Sequence, residues 1–193
     1  GVIRPPVVSG RFYPKDPAEL RATVGTLLAD ARQAVRPSDR PTVAVMVPHA
    51  GYIYSGPTAA RVFCRVEIPG LVVIVAPNHT GVCEAESGIS LWESGAFRTP
   101  LGEVPVDADA AQALREISKD FVAVDHDAHK SEHAIEVELP FLQMLRADVR
   151  VVPLVIAFDA WRPARVLGEM LARLVKAAGE PVLLLASSDL NHY

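Results

Sequence analysis

Blocks of apolar residues recur along this chain, and their period changes from block to block. After an extended opening arm, "PPVVSGRFYP", Asp16-Pro17 reads as an N-cap followed by proline at the first helical position. The segment "AELRATVGTLLADARQAV" then carries apolar residues at helical spacing, and "RPSDRP" is a loop. Thr42 to Val47, "TVAVMV", is a short β-branched run and predicts a buried strand. It gives way to the turn-rich "PHAGYIYSG", after which Pro57 is expected to open a helix, "PTAARVFCRV". The alternation continues. Leu71 to Ala76 predicts a strand, and so does "ISLW"; "VDADAAQALREIS" predicts a capped helix. Val149 to Ala157 predicts a strand, "RPARVLGEMLARLVKAAG" an amphipathic helix closing at Gly179, and Pro181 to Ala186 a last strand.

Strands alternating with helices predict an α/β fold, with a central, largely parallel or mixed sheet flanked by helices. The chain shows no repeat, linker or low-complexity tract, so residues 1–193 are expected to form a single domain. "SEHAIEVELPFLQMLR" is ambiguous. A helix begun at Ser131 would hold Pro140 in its interior, at a cost of about 3 kcal/mol. Pro140 fits better in the first turn of a shorter helix running to about Arg146.

Composition narrows the function. A net charge of −4 argues against nucleic acid or an anionic membrane surface as partner, because both demand an excess of Lys and Arg. No apolar run approaches the roughly 18 to 20 residues of a membrane span, and "GVIRPPVVSG" has no signal-peptide core. The two cysteines, Cys64 and Cys83, form no CxxC pair and read as reduced thiols of a cytoplasmic protein. "GYIYSG" lacks the GK[ST] of a phosphate loop, and "ASSDL" lacks the glycines of a nucleophile elbow.

Three apolar runs share one feature: each leads into a polar turn that carries histidine. "VAVMV" leads to His49, "VVIVA" to His79, and "VLLLA" to Ser187, Ser188, Asp189 and His192. Ligands of open α/β sheets bind outside the carboxyl ends of the strands. If the three strands are parallel neighbours, three imidazoles converge on one pocket. Neutral imidazoles suit Fe, Cu, Zn and Ni, and a further histidine can move protons near neutral pH. Asp189 could orient a histidine or close an Asx turn. Tyr52 and Tyr54 lie close in sequence to His49. His126 and His129, in "DHDAHKSEHAIE", read as a hydrophilic loop, while His133 enters an apolar element and could face a pocket.

"VSGRFYP", "VPHAGYIYSG", "APNHTG", "TPLGEVPVD", "SEHAIEVELPFLQ" and "SSDLNHY" occur in the order seen in the Memo family, known in prokaryotes as AmmeMemoRadiSam system protein B. The chain resembles that family from residue 8 to residue 193. The resemblance implies a fold similar to class III extradiol dioxygenases, the non-haem iron enzymes that open catechol rings. It implies His49 and His79 as metal ligands, His192 as the acid/base histidine and His133 as a second active-site histidine. Asp189, Tyr54 and Phe12 would line the cleft. Family members run on past the "SSDxxH" motif and supply a further cleft residue, typically cysteine. The resemblance therefore implies a domain incomplete at its C-terminus, with the third metal ligand beyond Tyr193.

Three functions compete on these grounds. One is a dioxygenase-like redox enzyme holding Fe(II) or Cu and acting on an unknown small molecule. Another is a non-catalytic binding module for a peptide or protein partner; the family name points to AMMECR1-like and radical-SAM proteins. The third is a zinc hydrolase whose histidine pair activates water.

Overall fold

The computed structural model describes residues 1–190. The chain enters through a short strand, β1 (Ile3–Arg4). Asp16 then accepts a hydrogen bond from the Glu19 amide at 2.9 Å and, with Pro17 behind it, starts α1 (Pro17–Ala34). Leu20, Val24, Leu28 and Ala31 form one buried stripe along that helix. β2 (Ala44–Val47) follows, then α2 (Tyr52–Phe63), β3 (Leu71–Pro77), β4 (Ile89–Leu91), β5 (Ala96–Thr99) and β6 (Gly102–Pro105). Asp107 accepts from the Ala110 amide at 2.9 Å and caps α3 (Ala108–Ser118). The chain continues through β7 (Ala123–Val124), α4 (Asp127–Lys130), a 3-10 turn (Glu136–Glu138) and α5 (Leu139–Leu145). β8 (Arg150–Ile156), α6 (Trp161–Ala177) and β9 (Val182–Ser187) complete it.

Six strands form the central sheet in the order β2-β9-β3-β8-β4-β7. β2, β9, β3 and β8 are mutually parallel, and β4 runs antiparallel to β8, so the sheet is mixed. Alternate residues of a strand face opposite sides, and each side has its own core. Val72 and Ile74 of β3 and Leu183 and Leu185 of β9 pack on the side of α1, α2 and α5. Val73 of β3 and Val152 and Leu154 of β8 pack with Leu114 of α3 and Leu167, Leu171 and Leu174 of α6. A second sheet, β1-β5-β6, was not foreseen from the sequence. Its β1 can lie against β5 only because Gly95 is glycine: φ is +86°, and a Cβ would stand 2.1 Å from the Val2 carbonyl oxygen.

Three expectations need correction. The strand expected to be buried over Thr42 to Val47 is β2, at the edge of the sheet, with Ala44 and Met46 exposed and only Val47 buried. The helix expected to open at Pro57 begins five residues earlier, at Tyr52, and holds Pro57 inside it. The tight turn after His49 aims the chain into a helix at once, and the Tyr52 amide is occupied by the Phe12 carbonyl at 2.8 Å. Pro57 leaves the Ile53 carbonyl without its helical donor, at a residue that is 84% exposed, where water can reach. The "DHDAHK" stretch is not a hydrophilic loop either. It holds α4, with His126 stacked on the Trp92 ring at 4.0 Å and His129 buried against Trp92 and Phe97. Pro140 does sit in the first turn of a short helix, α5, whose C-cap is Arg146.

Candidate functional site

The adjacency that the histidine argument required is present. β9 lies between β2 and β3 and is parallel to both, with Val47 opposite Ser187 and Val75 opposite Ala186. The three carboxyl ends therefore open on one side of the sheet. His49 stands two residues past β2, and His79 two residues past β3. Their ring centroids are 5.0 Å apart and nearly perpendicular. His133 arrives from the segment ahead of the 3-10 turn, 4.6 Å from His79 and 5.4 Å from His49 between ring centroids. One nitrogen from each of the three rings lies within 4.8 Å of the others. His49 is buried, His133 half-buried and His79 at the exposed rim.

Each ring is steered by a neighbour. The Nδ1 of His49 is 2.9 Å from the Ser187 hydroxyl. The Nδ1 of His79 donates to Glu132 Oε1 at 2.8 Å, and the His79 amide donates to Glu132 Oε2 at 2.6 Å. Glu132 Oε1 also accepts from the Ala134 amide at 3.0 Å and lies 3.3 Å from His133 Nδ1. One buried carboxylate thus orients two of the three imidazoles. Burial pushes Glu132 up, but the amide and ring of His79 and the Ala134 amide outweigh it and hold its carboxyl below the usual range. His49 is lowered from 6.5 to about 4: burial is the main cause, the other two imidazoles add to it, and Asp189 opposes it. His133 is lowered as well, again chiefly by burial. These imidazoles are neutral at physiological pH and carry a lone pair without first losing a proton.

The donor set fits a transition-metal ion. Three imidazoles suit Zn, Cu and Fe, and hydrogen-bond partners on the second ring nitrogen are the usual means of orienting such ligands.

Among the other residues expected at the site, Asp189 is there. Its Oδ1 accepts from the His49 amide at 2.7 Å, and its Oδ2 is 3.6 Å from His49 Nε2. Phe12 packs its ring 4.7 Å from that of His133. Tyr54, in the first turn of α2, is 80% exposed. His192 lies outside the described residues. His126 and His129 join Trp92 rather than the cluster; His126 pairs with Glu93 at 2.5 Å. Neither His126, His129, Cys64 nor Cys83 belongs to the group that could hold an ion among the described residues. The sequence reading gave no role to Glu132 or Ser187. For Glu132 a signal existed: three glutamates, 132, 136 and 138, stand in an apolar stretch, and buried acids need dedicated partners. No helix among the described residues is long and apolar enough to cross a membrane.

The family profile described as Memo-like protein matches residues 4–193. A MEMO1 family protein of Sulfolobus acidocaldarius is 38% identical over 204 residues, which covers 100% of this chain and 70% of the relative. Another from Aquifex aeolicus is 38% identical over 193 residues, covering 99% of this chain and 68% of its own length. A third, from Aeropyrum pernix, is 40% identical over 201 residues, with 99% and 70% covered.

Proposed function

This chain belongs to the Memo family, and from that premise we propose that its His-lined cleft holds a first-row transition metal, iron or copper, and acts on a small molecule in a dioxygenase-like manner. The observation that carries the reading is the convergence of His49, His79 and His133, with Nδ1 of His49 against Ser187 and Nδ1 of His79 on Glu132. His49 and His79 would hold the ion, with His133 within reach as a third donor or as the neighbour that moves a proton. A redox-active ion bound there would supply a site for O2 and for electron transfer to or from the substrate. The chain's own residues do the rest. Glu132 holds two rings in orientation, Asp189 fixes the His49 backbone, and Phe12 walls one side of His133.

The test is elemental analysis of the protein purified anaerobically, beside a His49→Ala, His79→Ala double variant. Near-stoichiometric iron or copper in the parent, lost in the variant, is the expected result, and O2 uptake with candidate substrates then addresses turnover. Stoichiometric zinc with activity under argon would replace the redox reading by a hydrolytic one. No metal in either protein, after reconstitution with Fe(II), Cu and Zn, would remove the metal reading altogether.

A further inference from the structure

Behind the Nδ1 of His49 runs a buried hydrogen-bond chain that ends in a carboxyl group. Ser187, the last residue of β9, is 2% exposed, and Glu138, the last residue of the 3-10 turn, is 1% exposed. The Ser187 hydroxyl is 2.9 Å from His49 Nδ1, 2.8 Å from the Ala134 carbonyl oxygen and 3.0 Å from Glu138 Oε1. The second oxygen of Glu138 is buried and has no hydrogen-bond partner among the described residues.

Counting protons decides how these groups are arranged. A serine hydroxyl has one hydrogen to give and two lone pairs to accept with. Were Glu138 a carboxylate, it and the Ala134 carbonyl would compete for that one hydrogen, and one buried acceptor would go unserved. Its bare second oxygen would also hold charge in the core, with no ion pair to Glu138 among the described residues. A neutral Glu138 removes both conflicts. It donates to Ser187 Oγ, Ser187 donates to the Ala134 carbonyl, and the second lone pair of Oγ accepts from a protonated His49 Nδ1. The lone pair of His49 is then on Nε2.

We propose that Glu138, as a carboxylic acid, and Ser187 are positioning residues that lock His49 in the Nδ1–H tautomer and so reserve its Nε2 for the cleft. Asp189 Oδ2, 3.6 Å from His49 Nε2, attracts a proton to that nitrogen but lies beyond hydrogen-bond reach, whereas Ser187 is within it at Nδ1. Burial, reinforced by the negative charge of Asp189, pushes the Glu138 carboxyl well above its usual range, against the opposing hydrogen bond to Ser187. Tyr52 of α2, packed on this turn, donates its hydroxyl to the Val137 carbonyl at 2.6 Å, and the cation beside the turn, Arg4, is paired with Glu136, to which Tyr13 also donates, and not with Glu138. The purpose of the relay rests on His49 serving as a ligand; the tautomer itself does not.

The deciding spectrum needs no metal. In apo protein labelled with 15N-histidine and 13C-glutamate, at neutral pH, the His49 ring is assigned by its loss in His49→Gln and the Glu138 carboxyl by its loss in Glu138→Gln. The expected spectrum shows Nδ1 of His49 protonated, Nε2 bare, and the Glu138 carboxyl carbon at the shift of a protonated acid. Glu138→Gln, which keeps a donor toward Ser187, preserves the tautomer. Ser187→Ala releases it and weakens binding of Zn or Cu by about 10- to 100-fold in a chelator competition. A His49 ring protonated at Nε2 in the parent, or a carboxylate at Glu138, overturns the relay, and both are read from the parent even if Ser187→Ala fails to fold. A parent protein that shows the expected spectrum yet takes up no ion upholds the relay and defeats the metal reading alone.

Discussion

His129 shows what burial does to an imidazole outside the cleft. It is 1% exposed, it hydrogen-bonds the Ser90 carbonyl through Nε2 at 2.9 Å, and its Nδ1 has no partner among the described residues. Burial lowers its pKa from 6.5 to about 4. Between those values the unfolded chain binds a proton that the folded one refuses, so stability rises with pH across the window and is lost as pH falls through it. His49 and His133 are lowered too and act in the same direction. Denaturant titrations from pH 7 down to pH 4 should show falling stability, and His129→Gln, which keeps a donor toward Ser90, should flatten that slope by up to about 1.4 kcal/mol per pH unit. An unchanged slope would mean that His129 is not neutral in the folded protein. The same residue marks the limit of legibility at this scale. His49 and His79 could be read from sequence because an apolar run ending in a polar turn places its next side chains at a sheet end. His129 looked like a solvated loop residue because nothing in "DHDAHK" reveals that Trp92 and Phe97 close over it, each 6.1 Å away between ring centroids. Glu132 and Ser187 act through partners 53 and 138 residues distant in the chain; the apolar stretch around Glu132 signals that it needs a partner, but local pattern cannot say which residue that is.

The elements with strong local signals were readable: α1 from its cap and stripe, and β3, β8 and β9 from their apolar runs. The order in which the strands pair was not, since β9, the last strand, inserts between β2 and β3. β1 and β5 escaped notice because they are short and because their pairing depends on one backbone approach rather than on a pattern. Gly95 and Gly81 separate the two components of that approach. Both have positive φ, +86° and +74°, but a Cβ on Gly81 meets nothing within 4 Å, whereas one on Gly95 meets the Val2 backbone. Gly81→Ala should therefore cost only the left-handed backbone strain, about 1–2 kcal/mol. Gly95→Ala should cost more, about 2–4 kcal/mol, because β1 must also leave β5. Equal losses in urea melts of the two variants would show that the β1–β5 contact adds nothing to stability.

For the molecule as a whole, the N-terminal arm and the cleft are joined through one buried ion pair. Arg4, fully buried, pairs through Nη1 with Glu136; its Nε donates to the His129 carbonyl at 3.1 Å, and its Nη2 donates to the Glu132 carbonyl. Glu136 in turn accepts from the Val7 amide at 2.9 Å, the Val8 amide at 3.0 Å and the Tyr13 hydroxyl at 2.6 Å. The segment that carries Glu132 and His133 is thus pinned at its back to the arm that carries Phe12. Removing one partner of a buried pair leaves an uncompensated charge and costs about 3–5 kcal/mol. Arg4→Met should do that, and should also lower metal affinity, because Glu132 loses the anchor that holds its carboxylate against His79. Leu171→Ala, in the core between α6 and the far face of the sheet, should cost a comparable 2–5 kcal/mol through a cavity. It touches none of this network, so its affinity for metal, measured where both variants remain folded, should stay at the parent value. If the two variants lose affinity in step with stability, the arm is only scaffolding. A loss confined to Arg4→Met would establish that the first residues of the chain help to set the geometry of a cleft built on the carboxyl ends of three distant strands.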